Sequence, residues 1–125
     1  MSPLNNLQLQ QLGKHGEDIA AHYLQKHGYR IINRNFKARY GELDIICIKD
    51  TTLVFVEVKT RKDESFGKPE EAVTPRKLRE VIQTAEYYVV LNPTLPTSIR
   101  IDVIGIILDA ENSVKYFNHI VNVTG

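Results

Sequence analysis

A chain of 125 residues with 42% hydrophobic and 25% charged residues has the size and composition of one globular domain, and we predict that residues 1–125 form a single domain. No apolar run approaches the roughly 18 residues of a membrane-spanning helix, so we expect no membrane partner. The N-terminus lacks the basic start and apolar core of a secretion signal, and Cys47 is the only cysteine. These features predict a cytoplasmic protein without disulfides.

The formal net charge of +1 argues against a strongly basic protein that coats nucleic acid. The charges are unevenly distributed, however. Residues 1–79 carry 14 Lys and Arg against 10 Asp and Glu, whereas residues 80–125 carry 2 against 5. This asymmetry allows a positive surface that faces phosphate, although solvated charged surfaces produce the same pattern.

The first half of the chain predicts one helix and three strands. Residues 4–27 carry the apolar stripe of a helix, although two glycines favour an ordered part that begins near Gly13. Gly28 suits the C-terminal cap. The strands are expected at 29–36, 41–49 and 52–60, with fraying at 33–35 and a two-residue turn at 50–51.

The second half predicts one helix and two strands. Residues 62–72 are expected to form a mobile loop in which Phe66 and Lys68 become ordered on substrate. A helix follows between the cap at Thr74–Pro75 and a stop at 92–93. Residues 99–108 form an apolar run typical of a strand covered on both faces, and 114–123 predict the last strand. This order predicts an α/β domain with an antiparallel meander that is extended through a helical crossover.

Acidic residues interrupt the second and third strands. With a two-residue turn, Asp44 faces Glu57 and Glu42 faces Lys59 on one side of the hairpin. Like charges at such a pair destabilise a sheet unless a cation lies between them. Mg²⁺ prefers oxygen ligands and commonly takes one or two carboxylates, so Asp44 and Glu57 predict a Mg²⁺ site in which Mn²⁺ can substitute.

Two further residues complete the candidate site. Glu17 falls on the apolar stripe of the first helix, where a carboxylate is costly unless it is paired; the alternative is a position at the edge of the stripe, with solvent or an arginine as its partner. Lys59 can reach a metal-bound water or a phosphate oxygen, and could orient the water, share its proton or stabilise charge. The competing interpretation is an exposed hairpin with a Glu42–Lys59 ion pair.

The Glu-x-Lys pattern on one strand, preceded by an Asp on its neighbour, resembles the PD-(D/E)xK nuclease superfamily. The chain resembles more closely the YraN-like family of small uncharacterised bacterial proteins, which are similar to archaeal Holliday junction resolvases. The likeness covers most of the chain, and its matching segments are GEDIA at 16–20, GYRI at 28–31, RN at 34–35, GELD at 41–44, VFVEVKTR at 54–61, Lys77 and RIDV at 100–103.

This resemblance implies a restriction-endonuclease-like core with a mixed central sheet flanked by helices. It implies that Asp44 and Glu57 bind the metal, with the Val58 carbonyl as a further ligand. It also implies that Lys59 is the catalytic lysine and that Glu17 is the acid contributed by the first helix. Leu43 departs from the superfamily pattern, which has a proline there, but that proline takes no part in the chemistry.

Basic residues near the proposed site are candidate DNA contacts. Arg61 and Lys62 leave the third strand, and Arg76 and Lys77 begin the second helix together with Arg79, where a basic N-terminus suits phosphate. Arg34 extends this set from the first strand, with Lys37 and Arg39 beyond it. A solvated surface is the alternative for all of them.

The leading hypothesis is therefore a metal-dependent DNA endonuclease that acts on branched or repair intermediates. The alternative is a DNA-binding or recruitment module that keeps the nuclease fold with weak or no cleavage, and a third interpretation is a protein-interaction domain. The resolvase-like relatives also suggest a homodimer. Asp102, within the fourth strand, is expected to pair with Arg100 or another cation.

Overall fold

The computed structural model describes residues 3–65 and 67–125. Two helices and five strands follow one another in the predicted order. They are α1 (Asn6–Lys26), β1 (Arg30–Ala38), β2 (Gly41–Lys49), β3 (Thr52–Arg61), α2 (Pro75–Leu91), β4 (Ser98–Leu108) and β5 (Val114–Ile120), and a short 3₁₀ helix at Pro69–Ala72 precedes α2. No helix within the described residues is long and apolar enough to cross a membrane.

The strands form one sheet in the order β1-β2-β3-β4-β5. β3 and β4 are parallel and every other neighbouring pair is antiparallel, because α2 carries the chain back before β4 begins. α1 packs on one face of the sheet and α2 on the other, each over its own cluster of buried side chains. The predicted fold class, a mixed α/β sheet flanked by helices, is confirmed.

The helix ends follow local capping chemistry. The Asn5 side-chain oxygen accepts a hydrogen bond from the Gln8 backbone N–H, and the Gln8 side-chain oxygen accepts one from the Asn5 backbone N–H, so α1 begins at Asn6. The expectation that the ordered part begins near Gly13 is therefore wrong, since a capping box outweighs one poor helix former. Gly28 has φ of 83°, as a residue after a helix end often does. Thr74 caps α2 and Pro75 opens it, as predicted.

The hairpin of β2 and β3 has the predicted register from the turn to the pair of Ile45 with Val56, and the predicted pairs of Asp44 with Glu57 and of Glu42 with Lys59 lie beyond that ladder. Lys49 pairs with Thr52 across the Asp50–Thr51 turn, and Ile46 pairs with Phe55. The predicted fraying of β1 at 33–35 is wrong. The strand continues to Ala38, and its pairing with β2 shifts register between Ile31 and Asn33, as at a β-bulge. β5 ends at Ile120, three residues before its predicted end.

The segment between β3 and α2 is more ordered than predicted. Residues 62–72 were expected to form a mobile loop, but Pro69–Ala72 form the 3₁₀ helix, and the side chains of Pro69 and Glu70 are buried against the sheet. Apolar burial of a proline and the hydrogen bonds of Glu70 account for this order. The predicted ordering of Phe66 on substrate concerns a residue that lies outside the described ranges.

Candidate metal and nucleic acid site

The hairpin brings Asp44 and Glu57 to the same end of the β2–β3 ladder. The last ladder pair is Ile45 with Val56, and the two acids are the next residues on their strands. The Asp44 carboxylate turns toward β3, where its Oδ2 accepts a hydrogen bond of 2.8 Å from the Val58 backbone N–H. The two predicted ligands therefore occupy neighbouring positions that depend on one rigid hairpin.

Glu57 is a buried acid with an unsatisfied oxygen. Its side chain is 4% exposed, and no group among residues 3–65 and 67–125 hydrogen-bonds to Oε1. Burial, together with the charge of Asp44, raises the pKa of Glu57 to about 8, against the opposing influence of Lys77 and Lys59. Burial also raises the pKa of Asp44, and the hydrogen bond from Val58 opposes that rise. The pair therefore carries negative charge at a cost to the fold.

Two lysines face these acids from different elements. Lys59 lies two residues beyond Glu57 on the same face of β3, as predicted, and is half-buried. Lys77 lies in the first turn of α2, where its backbone N–H donates to the Thr74 side chain. The charges of both lysines lower the pKa values of Asp44 and Glu57. The site thus lies where β2, β3 and the start of α2 meet.

Glu17 approaches the site from the opposite helix. It is 9% exposed on α1, and burial followed by the charge of Asp44 raises its pKa, while Arg34 lowers it. Arg34 Nη2 lies 3.3 Å from Glu17 Oε1. Glu17 therefore lies on the core-facing stripe near Asp44 and has the arginine partner that the alternative named, without the edge position.

The donor set suits a hard divalent cation bound mainly through water and substrate. Within the described part of the chain, no three His, Cys, Asp or Glu side chains converge as a ready metal cage. Two adjacent carboxylates are present instead, and one has a buried oxygen without a partner. Mg²⁺ is commonly held by one or two carboxylates plus waters and phosphate oxygens, so Asp44 and Glu57 fit Mg²⁺ or Mn²⁺.

The candidate nucleic acid contacts divide into engaged and accessible residues. Arg34 binds Asp18 at 2.7 Å in addition to Glu17. The Lys62 ammonium donates to the Asp109 carbonyl at 3.0 Å and to the Asn112 side chain. Both side chains therefore already have hydrogen-bond or ionic partners within the protein.

Lys37 and Arg39 are exposed at the end of β1 and just after it, and further accessible basic residues lie at the start of α2. Arg76 is exposed there and lines an open groove along the helix with Arg79, Glu80, Ile82 and Gln83. Lys77, the next residue of α2, acts through its charge on both acids. Arg61 is half-buried, and its Nε finds no acceptor among the described residues. Accessible positive charge thus lies both at the start of α2 and at the end of β1.

Asp102 belongs to a separate buried network. Arg100 pairs with it at 2.9 Å, as predicted, and His119 Nε2 lies 2.8 Å from its other oxygen. His119 also contacts the Tyr23 hydroxyl at 3.0 Å. This network joins β4, β5 and α1 behind the sheet, on the side away from α2, and it has no unsatisfied oxygen.

Sequence reasoning missed two residues near the site. Lys77 was considered only as a DNA contact, although its charge acts on Asp44 and Glu57. Glu70 was placed in a mobile loop, although it is buried. Pro69 directly before Glu70, followed by Ala72-Val73, is the one local pattern that pointed to a packed segment rather than a loop.

Comparison with known proteins gives a consistent result. The model of the uncharacterised protein family UPF0102 matches residues 16–106. A UPF0102 protein of Syntrophomonas wolfei is 49% identical over 112 residues, which cover 90% of this chain and 96% of that protein. One from Caldicellulosiruptor bescii is 43% identical over 113 residues, with coverage of 90% and 95%. One from Chlorobium phaeobacteroides is 50% identical over 97 residues, with coverage of 78% and 76%.

Proposed function

This chain belongs to the uncharacterised protein family UPF0102, and from its site we propose that it is a metal-dependent endonuclease that hydrolyses phosphodiester bonds in DNA. Asp44 and Glu57 hold Mg²⁺, for which Mn²⁺ substitutes, and Lys59 assists the attack of water. The observation that carries this proposal is the buried Glu57 carboxylate, which has an unpartnered oxygen and lies beside Asp44.

A divalent cation explains why the fold keeps this pair. A buried carboxylate oxygen without a partner costs free energy, and a second acid beside it adds repulsion. Lys59 and Lys77 reduce that repulsion, but the pKa of Glu57 still rises to about 8. A bound divalent ion would neutralise both acids, polarise a phosphate oxygen and supply a reactive water.

The surrounding residues match a phosphodiester substrate. Lys59 projects from the same face as Glu57, so its ammonium can reach a phosphate oxygen or the attacking water. Lys77 and the capped N-terminus of α2 add positive charge at the edge of the acids. Arg76 and Arg79 continue that charge along the groove. A DNA strand that follows α2 would thus place its backbone near Glu57.

Cleavage assays test the proposal. Wild-type protein with Mg²⁺ or Mn²⁺ is incubated with branched, nicked, single-stranded and duplex DNA, and compared with Asp44→Asn and Lys59→Ala. We expect each substitution to lower the cleavage rate by about 100-fold or more, because Asp44→Asn removes a proposed metal ligand and Lys59→Ala removes the group that assists the attack of water. Asp50→Asn, which changes an exposed turn carboxylate, is the matched control and should cleave at the wild-type rate.

Metal binding is tested separately by thermal unfolding. Millimolar Mg²⁺ or Mn²⁺ should raise the Tm of the wild type and of Asp50→Asn, but not that of Asp44→Asn. Cleavage that survives both site substitutions, or a metal-induced Tm shift that survives Asp44→Asn, would reject this assignment of the site.

A second candidate function is a DNA-binding module with the same fold and little turnover. One observation in its favour is that Glu17, the third acid near the site, is already ion-paired with Arg34. A second is that no three-acid cluster is found among the described residues. This function predicts DNA binding that weakens with salt and persists in Asp44→Asn, without metal-dependent cleavage.

A further inference from the structure

Three aromatic rings lie together where β1 meets α2. Phe36 is half-buried on β1, and its ring centroid lies 5.0 Å from that of Tyr88 and 6.4 Å from that of Tyr87. Tyr88 is buried, whereas Tyr87 is 46% exposed. Phe36 and Tyr88 thus belong to the core, and they support the ring that Tyr87 presents to solvent.

Tyr40 brings a second exposed ring to the same region. It lies in the turn between β1 and β2 and is 55% exposed. The next residue, Gly41, packs against α2, since a Cβ at Gly41 would lie 3.2 Å from Thr84 Oγ1. Thr84 and Tyr87 are three residues apart, so they share the side of α2 that faces β1 and its turn. The turn therefore holds Tyr40 beside the part of α2 that carries Tyr87.

Positive charge accompanies both tyrosines. The Arg39 guanidinium lies over the Tyr40 ring, with its Cζ 5.7 Å from the ring centroid. On α2, Arg79, Gln83 and Tyr87 follow one another at four-residue intervals and are all exposed, so they form one row on the helix surface. This row leads from the basic start of α2 to the exposed ring.

The acids of this region leave its arginines available. Glu80 is half-buried and Glu86 is exposed, both on α2, and Glu42 is exposed on β2. None of the three carboxylates lies within 4.0 Å of a basic side chain in the described ranges. The guanidiniums of Arg39 and Arg79 are likewise without carboxylate partners there, so each can bind an anion.

The two tyrosines lie close to the pair of site acids. Tyr40 precedes Asp44 by four residues, which span about 13 Å of extended chain. Lys77, whose charge acts on Asp44 and Glu57, belongs to the same helix as Tyr87. A nucleic acid strand with a phosphate at the acids can therefore place neighbouring nucleotides over the tyrosines.

We propose that Tyr40 and Tyr87 stack on unpaired bases, so that the DNA bound at this site contains a single-stranded segment. Exposed rings accept the flat face of any base, and cations beside them bind the phosphates. A duplex keeps its bases stacked on one another and offers these rings no base face. The choice of DNA rests on the proposed function, and guanidiniums without carboxylate partners favour such a polyanion over an apolar protein surface.

The test compares two labelled single strands of equal length and charge by fluorescence anisotropy, with the full chain and without metal. One strand is oligothymidylate, and the other carries abasic sites in place of the bases. We expect the wild type to bind oligothymidylate tighter by about tenfold or more, because only this strand offers rings for stacking. Equal affinity for the two strands would overturn the proposal without any variant.

Variants assign the stacking to these two rings. Tyr40→Ala and Tyr87→Ala should each weaken oligothymidylate binding by about fivefold or more and leave the affinity for the abasic strand unchanged. Tyr40→Phe and Tyr87→Phe keep the ring and should bind as the wild type does. Val114→Ala removes an exposed apolar side chain from β5, at the opposite edge of the sheet, and is the matched control.

Two results with the variants would overturn the proposal. The first is a loss that is equal for the two strands in Tyr40→Ala and Tyr87→Ala with unchanged Tm, since phosphate contacts alone would then explain binding. The second is self-association of the wild type that Tyr87→Ala abolishes while oligothymidylate binding is unchanged, since the ring would then contact a second copy of this chain.

Cleavage separates this inference from the proposed function. A wild type that prefers oligothymidylate through Tyr40 and Tyr87 but cleaves no DNA would support the stacking surface and reject the nuclease. A wild type that cleaves DNA but binds both strands equally would reject the stacking surface alone. If both hold, Tyr87→Ala should raise KM for DNA with a single-stranded segment by about fivefold and leave kcat unchanged.

Discussion

Asp102 is the buried carboxylate whose surroundings are most complete. Arg100 donates to both of its oxygens at 2.9 and 3.0 Å, and His119 and the Asn122 backbone N–H occupy the remaining positions at 2.8 and 2.9 Å. Burial raises the pKa of Asp102, but the hydrogen bonds from His119, Arg100 and Asn122 outweigh burial and lower the pKa below 3.8. Glu57 differs, because its Oε1 has no hydrogen-bond partner among the described residues, and this contrast distinguishes a structural acid from an acid of the proposed site.

This lowered pKa predicts how stability depends on pH. Since the folded carboxyl releases its proton at a lower pH than the unfolded one, its contribution is present above the unfolded pKa, near 4, and is lost as pH falls through the folded pKa. Asp102→Asn should therefore cost about 3–5 kcal/mol in the free energy of unfolding at pH 7, and the difference from the wild type should shrink below pH 4. Urea unfolding across this range measures it.

Asp50→Asn is the control for that experiment, because Asp50 is exposed in a turn with φ of 54° that asparagine also adopts. Its unfolding free energy should follow the wild type at each pH. A wild-type advantage over Asp102→Asn that stays constant down to pH 2 would show that the carboxylate charge is not what the network stabilises.

At the scale of the element, α1 depends on one of its two glycines. A Cβ at Gly16 would come within 2.8 Å of Thr60 Cγ2 and would collide with the rest of that side chain, whereas a Cβ at Gly13 meets nothing within 4 Å. Gly16 thus allows α1 to lie directly on β3, and the pKa of the neighbouring Glu17 is raised by burial and then by the charge of Asp44.

The two glycines give a matched prediction. Gly13→Ala should raise the free energy of unfolding by up to about 1 kcal/mol, because alanine is the better helix former. Gly16→Ala should lower it by about 1–3 kcal/mol, because the methyl group overpacks the contact with Thr60. Thermal or urea unfolding of both variants measures the pair, and equal gains from both would exclude the close contact between α1 and β3.

At the scale of the whole molecule, Cys47 reports on the stability of the sheet. It is fully buried in β2, its Sγ lies 3.6 Å from the Val54 carbonyl, and burial raises the pKa of the thiol to about 12. Cys47 is therefore a core residue of the sheet. A thiol reagent can reach it only when the strands separate.

Thiol labelling of the native protein should therefore be slower than that of the urea-unfolded chain by about 100-fold or more. Its rate should rise in Gly16→Ala, which weakens the packing of α1, and fall in Gly13→Ala. Rapid labelling of the native wild type, detected by mass spectrometry, would show that β2 is accessible without global unfolding.

Sequence by itself determined the elements and the hairpin. Some features depend only on residues that are close in the chain: the spacing of apolar residues in strands and helices, the cap at Thr74–Pro75 and the tight turn at Asp50–Thr51. These features were therefore predicted, together with the hairpin register that makes Asp44 and Glu57 neighbours. The prediction failed at Gly13 because the capping box outweighs a poor helix former, and it failed in the segment that contains Glu70 because packing outweighs local preference.

Only the tertiary structure decided which charges meet. Arg34 and Lys62 are held by acceptors 16 and 50 residues away in the chain, and Lys77 and Glu70 reach the acid face because the crossover folds over β3 and β4. The physical reason is that a side chain's ionic partner depends on which elements pack together, and that packing depends on the sum of all buried contacts rather than on any local pattern.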